Sequence, residues 1–189
     1  VSRTSLGLPE QGFIAINQGS GMNVDRGLEE ALEAISGMPD WRLLLVGSGD
    51  AIPALKLKVQ DKGWSDKVIF IGRVPYATLL QYTRCADVGL SLDKDTNINY
   101  RFSLPNKLFD YLHCDLPVVT SKVREVAKIV EGFGIGLTVN PEDIDALKSS
   151  ITSVVASRKS YCAAIKKAQK SLTWEIEQVP LRAFYAQFL

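Results

Sequence analysis

Within Pro105-Asn-Lys-Leu-Phe-Asp-Tyr-Leu112, Lys107 and Asp110 stand three residues apart, so on a helix both face the same side. Pro105 suits the first position of a helix, which puts Asn106, Lys107 and Leu108 in its opening turn. The free amides there already carry partial positive charge, and a lysine among them opposes the helix dipole. An anion such as a phosphate removes that conflict. Asp110, further along the same face, can accept the two hydrogen bonds that a diol offers. The same spacing also fits a weak surface ion pair, which needs no ligand.

A second segment, Asn17-Gln-Gly-Ser-Gly-Met-Asn-Val-Asp-Arg-Gly-Leu28, has the same character. Gly19 and Gly21, with Ser20 between them, let the backbone approach a ligand closely. Arg26 is expected in the first turn of the helix that follows, again a cation at the wrong end of a dipole. An ordinary strand-to-helix turn with a solvated arginine is the alternative. A dinucleotide fingerprint fits less well, because Gly19-Ser-Gly21 and Gly47-Ser-Gly49 both lack the third glycine. His113 is the only histidine, and without a partnering carboxylate or nucleophile signature it reads as a packed or partly exposed residue rather than a base.

Six short apolar runs could position these loops: Phe13–Ile16, Trp41–Val46, Val68–Ile71, Val88–Leu92, Leu116–Val119 and Ile135–Val139. Helical periodicity separates them. Leu28, Ala31, Leu32 and Ile35 form one buried stripe, and similar stretches span Ala54–Lys62, Tyr76–Cys85, Pro105–Leu112, Val123–Val130 and Pro141–Ser157. Continuous apolar strands alternating with helices predict an α/β fold, a doubly wound, Rossmann-like parallel sheet of six strands. Ligands of such sheets bind beyond the carboxyl ends of the strands, where the strand order reverses. After Val139 the chain turns helical, over Lys159–Lys170 and Trp174–Phe188, the latter expected to kink or restart at Pro180.

The 189 residues carry 22 Lys and Arg against 21 Asp and Glu, which gives no electrostatic reason to expect nucleic acid or an anionic membrane as partner. With 46% hydrophobic residues the chain can fill one ordinary core. Cys85, Cys114 and Cys162 are odd in number and widely spaced, so neither a disulfide framework nor a zinc site is expected, and a reducing cytoplasm fits. No apolar run reaches the roughly 18 to 20 residues of a membrane span, and the start Val1-Ser-Arg-Thr-Ser5 is not a signal peptide. The chain begins without Met, which fits a piece of a longer protein and equally a processed start.

Ser103-Leu-Pro-Asn-Lys-Leu-Phe-Asp-Tyr-Leu112 followed by Leu116-Pro-Val-Val-Thr-Ser121 resembles the donor-site signature of retaining glycosyltransferases of the GT-B fold, the glycosyl transferases group 1 family. Gln18-Gly19 with Arg26-Gly27, Leu44–Gly49, Val68–Arg73 and Ala86–Leu90 follow in the family's order, so the resemblance runs from Phe13 onward. It implies the C-terminal half of a GT-B fold with extra C-terminal helices, binding a nucleoside diphosphate sugar as donor substrate and using no cofactor or metal.

In that reading the Gly19, Ser20, Gly21 loop, Arg26 and Lys107 hold the diphosphate, and the two cations stabilise its departure. Asn106 and Leu108 flank Lys107, Asp110 binds the ribose hydroxyls, and Gly72, Arg73 and Val74 contact the base. Two positions depart from the family pattern: Phe102 replaces an acidic residue eight positions before Asp110, and Ser20 replaces an arginine six positions before Arg26. A sugar-nucleotide epimerase and a non-catalytic nucleotide-binding module of the same architecture are the alternatives. The implied organisation is a linker over 1–11, a nucleotide-sugar domain over 12–172, and a helical arm over 173–189 crossing onto an N-terminal acceptor domain outside this chain. Any membrane association, at the inner face, would come through that other domain.

Overall fold

Strands buried on both faces read as unbroken apolar runs and pair in parallel when helices cover each face. The computed structural model, which describes residues 1–188, has this architecture. Its strands are β1 (Phe13–Gly19), β2 (Trp41–Gly47), β3 (Val68–Ile71), β4 (Val88–Ser91), β5 (Val118–Ser121) and β6 (Gly136–Val139). All pair in parallel in the order β3-β2-β1-β4-β5-β6, so the order reverses between β1 and β4. The helices are α1 (Leu28–Ser36), α2 (Ala51–Asp61), α3 (Tyr76–Arg84), α4 (Ile98–Phe102), α5 (Asn106–His113), α6 (Arg124–Phe133), α7 (Ile144–Ala156), α8 (Arg158–Ser171) and α9 (Trp174–Tyr185).

Alternation along each strand sends side chains to two cores. Ala15, Leu43, Leu45, Val88 and Leu90 pack under α1, α2 and α7, while Ile14, Ile16, Leu44, Val46 and Val118 pack under α3, α5, α6 and α8. The expected stripe of α1, Leu28, Ala31, Leu32 and Ile35, is fully buried in the first of these.

Several boundaries differ from the sequence reading for identifiable reasons. β1 continues past Ile16 to Gly19 because Asn17 and Gln18, although polar, are buried and paired in register with Leu45 and Val46. β5 starts at Val118, after Pro117, which has no N–H to give to a ladder. α4 lies in a stretch with no apolar period and is set by Asn97, whose side chain accepts from the Tyr100 amide at 2.9 Å. α9 runs through Pro180 as one helix, without the restart that was one of the two expectations there. None of its residues is buried, so the carbonyl that loses a helical donor can turn to water.

Residues 1–11 are tied to the domain they lead into. Leu8 is in the core, and Arg3 reaches Asp87 at 2.7 Å while donating to the carbonyls of Gly12 and Cys85. Asp87 also accepts from the Ile14 amide at 2.7 Å, which fixes the first turn of β1. Asp87→Ala takes the side-chain acceptor from that amide and one of three acceptors from the Arg3 guanidinium. It is expected to cost about 1–3 kcal/mol, seen as a lower urea midpoint at unchanged slope. Among the described residues no helix is long and apolar enough to cross a membrane.

Candidate functional site

β1 and β4 pair only at Ala15↔Val88 and Ile16↔Gly89, while β1 goes on beside β2 as far as Gly19↔Gly47. The sheet therefore opens between β1 and β4, and α5 is pinned at this opening by Tyr111. Its ring lies against Gly89, where any Cβ would collide with it, and its hydroxyl is within reach of the Ile16 and Leu90 carbonyls at 3.2 and 3.1 Å. Burial pushes this phenol well above its ordinary pKa, so it remains a neutral donor. With Tyr111 anchored, the start of α5 faces the opening.

A cleft of about 520 Å³ results. Of the residues named from the sequence, Gly19, Ser20, Gly21, Arg26, Arg73, Val74, Asn106, Lys107 and Asp110 all line it. Gly72 and Leu108 are not among its lining residues. Gly72 is exposed beside Arg73, and the Leu108 side chain is wholly in the core. The Leu108 amide donates to the Pro105 carbonyl at 3.0 Å, so the opening of α5 is a tight turn with Pro105 as its cap rather than its first residue.

Lys107 and Asp110 turn to different partners and do not form the surface pair that their spacing allowed. The Lys107 ammonium donates to Asn17 Oδ1 at 3.3 Å. Burial lowers its pKa; the attraction of Asp93 opposes that shift and the repulsion of Arg26 adds to it. Asp110 Oδ2 accepts from Gln18 Nε2 at 2.9 Å, and Oδ1 accepts from the Tyr76 hydroxyl at 2.7 Å. Gln18 is buried, with its carbonyl oxygen accepting from Thr83 at 2.5 Å, so it is a fixed support. The hydrogen bond to Asp110 pushes the Tyr76 phenol up to about 12.

Arg26 was expected in the first turn of α1, but that helix begins at Leu28, after Gly27 in the left-handed region at φ 69°. A Cβ at Gly27 would also run into Leu92, so only glycine fits. The turn leaves Arg26 just ahead of the helix instead of within its first turn. Its guanidinium lies 4.2 Å from the centre of the Tyr100 ring and 3.1 Å from Asp93, a buried carboxylate. The ion contact lacks hydrogen-bond alignment, so Arg26 Nε and both Asp93 oxygens have no hydrogen-bond partner. The arginine is thus held from behind with donor capacity to spare.

At Gly21 an added Cβ would meet no protein atom within 4 Å and φ is ordinary, so neither packing nor conformation asks for glycine there. Open space beside the backbone, on the wall of the cleft, is what close approach of a ligand requires.

The sequence reading did not name Asn17, Gln18, Tyr76, Asp93 or Tyr100 as site residues. Asp93 could have been found, since it directly follows the apolar run ending at Leu92, where a doubly wound sheet places its ligand loops. His113, at the end of α5, is exposed and does not line the cleft. Among the described residues no three His, Cys, Asp or Glu side chains gather as a metal site would require.

In fold, the chain is similar to sucrose-phosphate synthase from Thermosynechococcus elongatus, with 23% identity, a TM-score of 0.80, and 98% of this chain covering 48% of that one. It is also similar to HepE of Anabaena in complex with UDP-glucose, at 18% identity and a TM-score of 0.80, with 99% of this chain covering 51% of that one. The chain thus spans about half the length of either protein. Against the C-terminal domain of LpcC, a glycosyl transferase group 1 family protein from Francisella tularensis, it shows 16% identity and a TM-score of 0.67, and covers 88% of this chain and 87% of that one. No curated protein sequence matches it. The sequence profile of glycosyl transferases group 1 matches residues 19–157, which hold β2 to β6 and every residue lining the cleft except Gln18. The chain belongs to the glycosyl transferases group 1 family and has the fold of the C-terminal half of a GT-B protein.

Proposed function

We propose that this domain binds a nucleoside diphosphate sugar and, joined to an N-terminal acceptor-binding domain, serves as the donor half of a hexosyl-type transferase. The observation that carries this reading is the convergence of Arg26 and Lys107 on one cleft, with Lys107 partly buried and hydrogen-bonded only to a neutral amide oxygen. A cation in that state gains from an anion. The diphosphate lies between Arg26, Lys107 and the Gly19–Gly21 turn, close to the first amides of α5 at Asn106 and Lys107. Asp110 accepts from the ribose, and the Gly72-Arg73-Val74 turn flanks the base.

In transfer, the bond from the sugar's anomeric carbon to the diphosphate oxygen breaks and negative charge grows on that oxygen. Preplaced cations in a low-dielectric cleft stabilise such charge more than water can. The family resemblance implies retention at the anomeric carbon. HepE, whose fold is similar, was obtained with UDP-glucose, which supports a donor of this class. Phe102 is half-exposed with Arg124 5.5 Å from its ring centre, so recognition of the sugar does not rest on a carboxylate at this position.

The proposed organisation keeps the leading segment 1–11, a donor domain over 12–172 and an arm over 173–189 that docks onto the other domain. A cytoplasmic location is proposed because Cys85, Cys114 and Cys162 are all free thiols. Calorimetry tests the donor assignment: a nucleoside diphosphate is expected to bind tighter than its nucleoside by at least tenfold. Equal affinities would remove the diphosphate site.

A further inference from the structure

The Asp110 carboxylate accepts from two side chains that differ in kind. Gln18 is buried and locked by Thr83, whereas Tyr76 is 62% exposed at the first position of α3, directly after the Arg73-Val74-Pro75 turn. Its ring belongs to neither hydrophobic core. Its hydroxyl sits 2.7 Å from Asp110 Oδ1, the distance at which a sugar hydroxyl would sit. Tyr76 lines the same cleft as Asp110, Arg73 and Val74.

We propose that the Tyr76 hydroxyl stands in for one ribose hydroxyl in the unliganded domain and is displaced when nucleotide binds, making Tyr76 a residue that sets nucleotide affinity and ribose selectivity. The proposal rests on Asp110 being the ribose acceptor. Asp110 is half-buried, and a second charge-assisted hydrogen bond from a protein donor stabilises its carboxylate there. Gln18 supplies one oxygen permanently. Tyr76 supplies the other reversibly, since an exposed aromatic side chain can change rotamer without disturbing a core.

Each incoming ribose must break the phenol bond before it makes its own. The phenol therefore subtracts from affinity for a ligand that carries the diol, whereas a ligand without it leaves the phenol bond to Asp110 in place. Removing only the hydroxyl separates this role from a supporting one. If Tyr76 merely oriented Asp110, its loss would weaken binding; if it competes, its loss tightens binding.

The test is calorimetry on the 189-residue chain with uridine, guanosine and adenosine diphosphates, then with the 2′,3′-dideoxy form of the best binder. Tyr76→Phe is expected to bind the ribonucleotide about three- to tenfold tighter than the parent chain. The dideoxy form should gain little, so selectivity for the diol rises. Asp110→Asn is the second arm and should weaken the ribonucleotide by at least fivefold. Unchanged or weaker binding by Tyr76→Phe, with Asp110→Asn weakened, overturns the stand-in role and leaves the ribose assignment in place. Unchanged binding by Asp110→Asn overturns the ribose assignment and the stand-in role with it. A labelled Tyr76 ring-carbon resonance that moves with the ribonucleotide but not with inorganic diphosphate would report the displacement directly.

Discussion

Lys107→Ala should weaken nucleoside diphosphate binding by about 1–3 kcal/mol, or roughly 5- to 150-fold, and slow transfer by the two-domain protein by about two to three orders of magnitude. Binding loses one charge-assisted hydrogen bond. Transfer loses more, because the charge on the departing diphosphate grows along the reaction and the cation's contribution grows with it. Titration calorimetry gives the first number and single-turnover kinetics the second. Parent-like values in both would mean that Lys107 faces no anion.

The same lysine predicts a pH dependence with a definite sign. Burial holds its pKa below the ordinary lysine value, so in the empty domain the ammonium loses its proton at a lower pH than a free lysine would. A bound diphosphate favours the charged form and raises that pKa again. Binding above the free-state pKa must therefore take up a proton, and affinity falls as pH rises through the alkaline range, starting below the ordinary lysine region. Lys107→Arg keeps its charge throughout and should lose this dependence while keeping most of the affinity. An identical alkaline fall in Lys107→Arg would assign the titration to another group.

The sheet was legible because its strands are mainly apolar on both faces, as burial from two sides requires, and the switch-point rule then directed attention to the loops that line the cleft. What sequence spacing could not carry was partnership. Lys107 and Asp110 look like each other's partners in one dimension, yet Asn17 reaches the first and Gln18 and Tyr76 hold the second. Asn17 and Gln18 were missed for a related reason: polar residues after an apolar run read as loop, whereas here they are the last buried rungs of β1. Arg26 was assigned to a helix it does not enter, because Gly27 reads equally well inside a first turn or as a left-handed cap. Only the close approach of Leu92 decides between them.

The largest expected effect is on transfer itself. The 189-residue chain should bind donor yet transfer sugar to acceptors at least three orders of magnitude more slowly than the chain joined to the proposed N-terminal domain, since holding both substrates in reacting geometry is worth about 7–11 kcal/mol. Two observations motivate this: the chain spans about half of the similar two proteins, and its last helix has no buried residue. Along α9, Trp174, Ile176, Val179, Leu181, Phe184 and Tyr185 are each between 44% and 64% exposed, an apolar surface unlike that of an ordinary solvated helix. A neighbouring domain covering it would also fix the cleft opposite an acceptor. Trp174→Ser with Phe184→Ser should then leave donor binding by the 189-residue chain unchanged while loosening the two domains of the joined protein, seen as separate melting transitions and a fall in transfer. Efficient transfer by the 189 residues alone would show that both substrates already meet within this domain.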